Sequence, residues 1–339
     1  MVQPKTTDEK HLLPPSEQAE TLTPVSDEER RTPKKSRYSK REVLHAVLYL
    51  SPFLLVFGVF LGYPLFYSAY ISLHKVTLST NLFDVFGDMK FVGLANYLSL
   101  ATDFQFWWSL FVTLLYMMVS IPLSIFVSLT LAVVLSNKLR GATVFRSAFF
   151  LPNVLDMLVI GMIWRLIYSP DGLLDSLLRH IGISYFQETG FLGNPKTALI
   201  AVAVAMVIKG AGFGMVLFLT ALQNISSNIY EAADIDGMTA WQKFRYITVP
   251  LVKPVILFLV VTGTIASLNA FTEFYVMTEG NPVSTVMGQT VGVTKITGYY
   301  LFMKFSEMRY GYAAAMSYAL LVFALLISYA NFKFLRSNA

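Results

Sequence analysis

The sequence predicts an all-α integral membrane protein with six transmembrane helices, on the evidence of its composition and of its apolar blocks. Hydrophobic residues make up 55% of the 339 residues, only 14% are charged, and the mean hydropathy is +0.56. An ordinary soluble domain carries about 25% charged residues. Six apolar blocks have the length, about 20 residues, that a helix needs to cross a bilayer. Composition therefore overrides chain length, which alone would allow two soluble domains.

The N-terminal segment, residues 1–40, is predicted to be a disordered, basic tail in the cytoplasm. It is polar, contains proline and carries charges of both signs, so it cannot bury enough apolar surface to fold. It has no apolar run long enough for a signal peptide, so no cleaved leader is expected. A basic cluster precedes the first apolar block: Lys34, Lys35, Arg37, Lys40 and Arg41. Such a cluster holds the N-terminus inside, and the transmembrane domain follows over residues 41–339.

The six apolar blocks alternate with polar loops. They cover residues 44–71, 107–135, 148–168, 197–222, 255–277 and 312–334. Pro52 and Pro64 fall within the first block, which predicts a kink there. A short amphipathic helix is predicted over residues 173–180, in the loop after the third block. An even number of spans returns the C-terminus to the cytoplasm, in agreement with Lys333 and Arg336.

A long charged stretch with helix signals, residues 229–254, separates the fourth and fifth blocks. Asn228 or Ser227 can cap a short helix there. Glu231 then lies in the first turn of that helix, where the helix dipole favours negative charge. Gly237 suits the left-handed position that ends the helix. These signals predict the first half of a helix-turn-helix.

The second half begins at Thr239 and Gln242, which have the spacing of a capping box. Ala232 and Ala233 keep one face of the first helix thin. A thin face allows the surface of another protein to approach closely.

This stretch resembles the EAA motif of permease subunits in binding-protein-dependent ABC importers. That motif is Glu-Ala-Ala, three residues, Gly, nine residues, Ile, one residue, Leu and Pro. The matching residues stand at the family spacing, with Val249 in place of Leu: Glu231, Ala232, Ala233, Gly237, Ile247 and Pro250. The resemblance implies a cytoplasmic coupling helix, which includes Asp234 and docks on an ATPase. The alternative, a solvated amphipathic loop, explains the charges but not the fixed spacing.

Three further segments are similar to one branch of carbohydrate importers, the branch that contains the larger of the two maltose permease subunits. They are residues 150–153, 169–175 and 311–316. The resemblance covers roughly residues 45–336. It implies the MetI-like ABC permease fold, in which helices wrap a central path shared with a second, similar subunit.

The same resemblance implies the partners and the location. The expected partners are a second permease subunit, two ABC ATPase subunits, a periplasmic or extracellular solute-binding protein, a carbohydrate substrate and membrane lipid. The expected location is the bacterial cytoplasmic (inner) membrane. The net charge of +5 is modest, and anchoring charges explain it without a nucleic-acid partner.

No motif predicts an enzyme or a cofactor. The sequence lacks a P-loop and the His-Glu-x-x-His zinc signature, it contains no Cys, and its four His are scattered. The chain is therefore not predicted to hydrolyse ATP, and the resemblance implies a transport subunit, with ATP hydrolysed by separate subunits.

Ionisable residues within membrane spans usually face a protein interior or a water-filled cavity. Asp156 is expected to make a structural hydrogen bond, and Glu273 is expected to reach the membrane interface. Lys209 lies in mid-span and is followed by Gly210, Gly212 and Gly214. These small residues predict either close helix packing or an unwound backbone beside a cavity.

The resemblance to the maltose permease places the substrate path in the fourth and fifth spans. The family's sugar contacts fall on Lys209, Gly210 and Phe213 in the fourth span. In the fifth they fall on Ser267 and Ala270, with Asn269 adjacent. Sugars are bound by aromatic faces and hydrogen-bonding groups. Phe213, Asn269 and Tyr275 could supply such groups. The alternative is that these are ordinary helix-packing residues.

The function predicted from the sequence is translocation of a sugar or oligosaccharide. Lys209 extends the prediction to an acidic saccharide, such as an oligouronate from alginate or pectin, because an anion in the membrane needs a nearby positive charge. Alternatively, Lys209 pairs with a carboxylate of the partner permease or reaches into a hydrated cavity. The alternative function is a stand-alone secondary transporter or channel, although the sequence shows neither clear inverted repeats nor clear ion-coupling carboxylates. An integral membrane enzyme is the third possibility.

Overall fold

The computed structural model describes residues 40–76, 89–136, 141–182 and 188–337, and these are mostly helical, as predicted. The predicted tail lies outside the described residues, apart from Lys40. The helices are α1 (Lys40–Phe57), α2 (Tyr63–Ser72), α3 (Ala95–Thr102), α4 (Phe104–Ser136), α5 (Ala142–Val154), α6 (Met157–Ile167), α7 (Leu173–His180), α8 (Gly190–Gly193), α9 (Ala198–Gln223), α10 (Ser227–Ile235), α11 (Ala240–Lys243), α12 (Val249–Leu251), α13 (Lys253–Leu268), α14 (Thr272–Met277), α15 (Thr297–Ser306) and α16 (Tyr310–Ser337). Two antiparallel pairs of short strands complete the fold: β1 (His74–Lys75) with β2 (Lys90–Phe91), and β3 (Val283–Val286) with β4 (Gln289–Gly292).

The chain divides after Tyr63 into two compact units. In the first unit, α1 continues through Pro52 without ending. A π-helical turn follows over Gly58–Gly62, where the N–H of Tyr63 donates to the carbonyl of Gly58. The π-helical turn therefore lies after Pro52. It widens the helix locally without ending it.

Four helices in the described part of the chain are long and apolar enough to cross a membrane. They are Val47–Ser72, Phe104–Ser136, Ala198–Gln223 and Tyr310–Asn331. They correspond to the predicted first, second, fourth and sixth spans. The count rises to six if each of two bent helix pairs forms one span.

The third span is broken where the sequence predicted one continuous block. Its halves, α5 and α6, meet at 103°. Leu155 between them is extended, with ψ 146°, and the Asp156 carboxylate accepts a hydrogen bond from the N–H of Leu158 at 2.8 Å. Asp156 is thus the N-cap of α6, which confirms its structural role. A cap of this kind starts a new helix and so fixes the break.

The fifth span is also interrupted. α13 ends at Leu268, Asn269 is its C-cap, and α14 begins at Thr272. The preceding pair, Ala240–Leu251 and Lys253–Leu268, is bent by 63°. The predicted block over residues 255–277 therefore contains one long helix and one short helix.

The core is built around α4 and α9, which pack along most of their lengths. Ser128 of α4 donates a hydrogen bond to the carbonyl of Ala211 at 3.1 Å. Gly212 and Gly214 lie where a Cβ would be 2.2 Å from the carbonyl oxygen of Phe149 and 2.4 Å from the hydroxyl of Ser128. Small residues thus allow close helix approach. α9 is continuous here, so the alternative of an unwound backbone is wrong.

The loops carry more structure than the sequence indicated. The predicted amphipathic helix over residues 173–180 is confirmed as α7. The segment between the fifth and sixth spans holds β3, β4 and α15. The hairpin is tied to the start of α4, because Trp108 Nε1 donates to the carbonyl of Gly292 at 2.9 Å and Gln105 Nε2 to that of Thr290 at 3.0 Å.

A carboxylate anchors α15 and α16 to the start of α4. Asp103 accepts hydrogen bonds from the hydroxyls of Tyr300, at 2.6 Å, and Tyr312, and from the N–H of Gln105 at 2.9 Å. Burial raises the pKa of Asp103, but these donors outweigh it and hold that pKa below the ordinary 3.8. Hydrogen bonds to the charged form stabilise it.

This anchor predicts an acid-dependent contribution to stability. Because the folded-state pKa of Asp103 is lowered, its stabilisation is present above the unfolded pKa and is lost as pH falls through the folded value. We expect Asp103→Asn to lower the unfolding temperature of the purified protein at pH 7, and the difference from wild type to shrink below about pH 4. A difference of constant size from pH 7 to pH 3 would contradict this assignment.

Candidate functional site

A cavity of about 360 Å³ lies between α4, α9 and α13, beside the breaks in the third and fifth spans. The breaks matter because the first residue of α6 and a residue in the first turn of α14 both line it. The lining residues are Tyr116, Ser120, Ile121, Ser124, Ile125, Met157, Met206, Val207, Lys209, Gly210, Phe213, Gly214, Leu259, Thr262, Gly263, Ala266, Ser267 and Glu273.

Four of the six residues predicted for the substrate path line this cavity: Lys209, Gly210, Phe213 and Ser267. The other two lie elsewhere. Asn269 is exposed and its side-chain amide donates to the carbonyl of Ile265 at 2.8 Å. Ala270 is buried in the hydrophobic core. Their positions follow from the break, since α13 has already ended at Leu268.

The three glycines after Lys209 have different surroundings. Gly212 and Gly214 are packed against neighbouring helices, whereas a Cβ at Gly210 would meet no atom within 4 Å. Gly210 faces the cavity, so its missing side chain leaves room there. Phe213 also lines the cavity, and because it is 43% exposed, its aromatic ring is accessible to a ligand.

Two opposite charges face the cavity. Lys209 is half-buried, and none of the described residues forms a hydrogen bond or an ion pair with its amino group. Glu273 is only 7% exposed. The expectation that Glu273 reaches the membrane interface is therefore wrong: the break before α14 turns this residue towards the interior.

The rest of the lining combines hydroxyl groups and aromatic rings with aliphatic side chains. Hydroxyl groups come from Ser120, Ser124, Thr262 and Ser267, and aromatic surface comes from Tyr116 and Phe213. Reasoning from the sequence missed Tyr116, Ser120, Ser124 and Thr262, because hydroxyl residues are common in packed membrane helices and carry no pattern.

Tyr275, predicted as a further sugar contact, does not line the cavity. It stacks on Phe271 at 5.4 Å and meets Phe302 edge-on at 5.4 Å, both between ring centroids. Within the described ranges, no cluster of three or more His, Cys, Asp or Glu could hold a metal ion.

The cavity offers hydroxyl groups, aromatic faces and two ionisable side chains of opposite charge type.

The two half-helices beyond the breaks, α6 and α14, are joined to each other. Gly161 packs against Val276, with 3.0 Å from an added Cβ to the nearest side-chain carbon. Arg165 Nη1 donates to the carbonyl of Val276 at 3.1 Å and lies 3.5 Å from the carboxylate of Glu279. Both charged side chains are 57% exposed, so the ion pair adds little and the packing dominates.

The segment between α9 and α13 forms the predicted helix-turn-helix. α10 ends before Gly237, whose φ of 72° is left-handed as predicted. The capping box of Thr239 and Gln242 starts α11 and is also confirmed. Lys243 closes the turn by an ion pair with Asp234 at 2.6 Å.

Two details of α10 differ from the prediction. Its N-cap is Ser226, not Ser227 or Asn228, and no side-chain cap hydrogen bond forms. Glu231 is therefore the fifth residue of the helix and lies in its second turn, not in the first. The helix starts earlier because Ser226 already has an extended conformation, with ψ 135°, directly after α9.

One face of α10 is thin and open. Ala233 is buried at 4% exposure, whereas Glu231, Ala232 and Asp234 are exposed. The two alanines thus have different surroundings: Ala233 packs inward and Ala232 lies on the open face. Ile235 beside it is 88% exposed.

Comparison with known proteins gives one family and several relatives. Residues 120–335 match the family described as "Binding-protein-dependent transport system inner membrane component". The lactose transport system permease protein of Rhizobium radiobacter is 33% identical over 288 residues, 84% of this chain and 92% of that protein. The trehalose/maltose transport system permease protein of Thermococcus litoralis is 33% identical over 296 residues, 87% of this chain and 94% of that protein.

A solved structure has the same fold. One chain of a bacterial alginate ABC transporter, in complex with an alginate pentasaccharide-bound periplasmic protein, superposes with a TM-score of 0.69. The alignment covers 86% of this chain and 93% of that chain at 21% sequence identity. An identity this low establishes the shared fold alone.

Proposed function

Because this chain belongs to the family of binding-protein-dependent transport system inner membrane components, we propose that it is the saccharide-conducting permease subunit of an ABC importer. It is a multi-pass membrane protein and a transport subunit, not an enzyme. The observation that carries the substrate class is the cavity between α4, α9 and α13, which combines hydroxyl groups, aromatic faces and charges. Such groups bind sugar hydroxyls by hydrogen bonds and sugar C–H faces by stacking.

The partners follow from the same proposal. The permease pairs with a second permease subunit, and two ABC ATPase subunits and a solute-binding protein complete the importer. The relatives named as lactose and trehalose/maltose permeases support a saccharide as the substrate. The N-terminus, the C-terminus and the helix-turn-helix then lie on the cytoplasmic side.

The open face of α10 is proposed to dock on an ATPase subunit. Glu231, Ala232 and Asp234 would form the docking surface, while Ala233 and Gly237 hold its shape. Closure of the ATPases would pull on α10, and α10 is separated from α9 only by residues 224–226. Movement at the docking surface can thus reach Lys209 and Phe213 through one continuous helix.

The experiment is reconstitution of the complete importer. We expect the chain to co-purify in mild detergent with the ATPase subunits of the importer. In proteoliposomes that contain the binding protein, it should support ATP-dependent uptake of a radiolabelled saccharide such as lactose or maltose. Proton-coupled uptake by a stand-alone chain, without any ATPase, would instead support the secondary-transporter alternative.

A second candidate concerns the charge of the saccharide, and Lys209 is the observation that favours it. Its half-buried amino group lines the cavity, and no described side chain pairs with it within hydrogen-bond distance. An oligouronate such as an alginate fragment would supply a carboxylate for that amino group. On this second candidate the wild-type importer handles uronates better than neutral sugars.

The test of Lys209 is a substitution that keeps the length of the side chain. On the second candidate, Lys209→Met should reduce uronate uptake at least about tenfold, because a unit charge at close range is lost. Uptake of a neutral oligosaccharide should change much less. Lys196→Met is the matched control, because Lys196 is exposed and lies before α9. Equal uronate uptake by wild type and Lys209→Met would rule out the second candidate.

A further inference from the structure

The cavity is lined by an acidic residue, Glu273, as well as by Lys209. Lys209 and Glu273 are the only Lys, Arg, Asp or Glu among the described residues that line it. Its formal charge is therefore zero. Glu273 reaches the cavity from α14, after the break, and Lys209 reaches it from α9.

Glu273 is buried among apolar residues, and Lys209 is the cation that shares its cavity. Glu273 is 7% exposed, and its neighbours on α14 are buried apolar residues: Phe274, Val276 and Met277. A buried carboxylate is costly unless an opposite charge lies nearby, because burial removes it from water. Both side chains line the cavity, and among the described residues no ion pair within 4.0 Å joins them.

Resting on the proposed function, we infer that Glu273 is a specificity-determining residue that makes the cavity select neutral over acidic saccharides. Its carboxylate accepts hydrogen bonds from sugar hydroxyls, and the Lys209 ammonium donates to hydroxyl oxygens. Both kinds of hydrogen bond are charge-assisted and strong. A uronate would gain the Lys209 charge but would also bring a second carboxylate beside Glu273, and like charges at one site repel. Glu273 therefore offsets the attraction that Lys209 alone would give.

The experiment compares two trisaccharides of equal length, neutral maltotriose and acidic trigalacturonate. Equilibrium binding of each is measured on the detergent-purified permease–ATPase complex without binding protein, so that only the permease discriminates. The variants are Glu273→Gln, Lys209→Met and the double variant. Glu279→Gln is the matched control, because Glu279 also follows the fifth-span break but pairs with Arg165 and does not line the cavity.

We expect wild type to bind maltotriose more tightly than trigalacturonate. Glu273→Gln should shift the ratio of the two affinities at least about tenfold towards trigalacturonate, because Lys209 is then uncompensated. Lys209→Met should shift the ratio the other way. The double variant should return close to the wild-type ratio, which a merely structural role of Glu273 would not produce. Glu279→Gln should leave the ratio unchanged.

Three results would overturn the inference. The first is a ratio in Glu273→Gln within twofold of wild type. The second is a wild-type preference for trigalacturonate, which would support the acidic-saccharide candidate instead. The third, a folded wild-type complex that binds neither sugar, would overturn the saccharide function as well. If Glu273→Gln fails to assemble, the double variant decides the question: a ratio close to that of wild type supports the inference, and a ratio equal to that of Lys209→Met overturns it.

Discussion

Gly237→Val is expected to abolish most ATP-driven uptake while leaving the permease inserted and assembled. Gly237 has a φ of 72° and no atom within 4 Å of the position of an added Cβ. The substitution thus meets no steric clash with neighbours, and its cost is conformational. A left-handed residue with a Cβ costs about 1–2 kcal/mol, and a β-branched side chain costs more. A cost of this size lowers the population of the native turn by a factor of about 5–30.

The measurement is substrate-stimulated ATPase activity and uptake in proteoliposomes, with assembly followed by size-exclusion chromatography. Gly237→Asn is the matched control, because Asn tolerates the left-handed conformation and should retain most of the activity. Loss of uptake in Gly237→Val but not in Gly237→Asn would show that the left-handed turn at Gly237 is what uptake requires. Wild-type uptake in Gly237→Val would show that α10 couples to the ATPase without this turn.

Gly212→Val is expected to have the largest effect on folding. A Cβ at Gly212 would lie 2.2 Å from the carbonyl oxygen of Phe149 and 2.6 Å from the Cα of Phe150. Both atoms belong to the backbone of α5, so no side chain can move aside. α5 and α9 must separate, and overpacking of this kind costs about 1–3 kcal/mol or more. The separation would also displace Phe213, the next residue on α9, from the cavity.

The control is Gly210→Ala, two residues earlier on the same helix, where an added Cβ meets nothing within 4 Å. The readout is the fraction of protein that stays monodisperse in detergent after heating. We expect a sharply reduced fraction for Gly212→Val and a fraction near wild type for Gly210→Ala. Equal thermal stability of the two variants would show that α5 and α9 do not pack as tightly as described.

Features set by local chemistry could be predicted from the sequence. The capping box at Thr239, the left-handed Gly237 and the short helix α7 depend only on nearby residues and on backbone geometry. The start of α10 was missed by one or two residues, which moved Glu231 into the second turn. Helix ends are hard to fix because several polar residues in a row can each serve as the cap.

Features set by packing between distant segments could not be predicted. The breaks after Val154 and Leu268 lie inside apolar blocks whose hydropathy is that of continuous spans. These breaks decide that Ser267 and Glu273 line the cavity while Asn269 and Ala270 do not. Lys209 was identified because a mid-span charge stands out in any apolar helix. That Glu273 lines the cavity cannot be predicted without the three-dimensional path of the chain.

The link between α6 and α14 has a mechanical consequence. Each half-helix is attached to its own span through a short non-helical segment, but the two are fastened to one another by Gly161, Val276 and Arg165. Because α6 and α14 are packed against each other, neither can rotate independently about its own non-helical segment, residues 155–156 or residues 269–271. A displacement of α6 would therefore be transmitted to α14, and Met157 and Glu273, which both line the cavity, would move together.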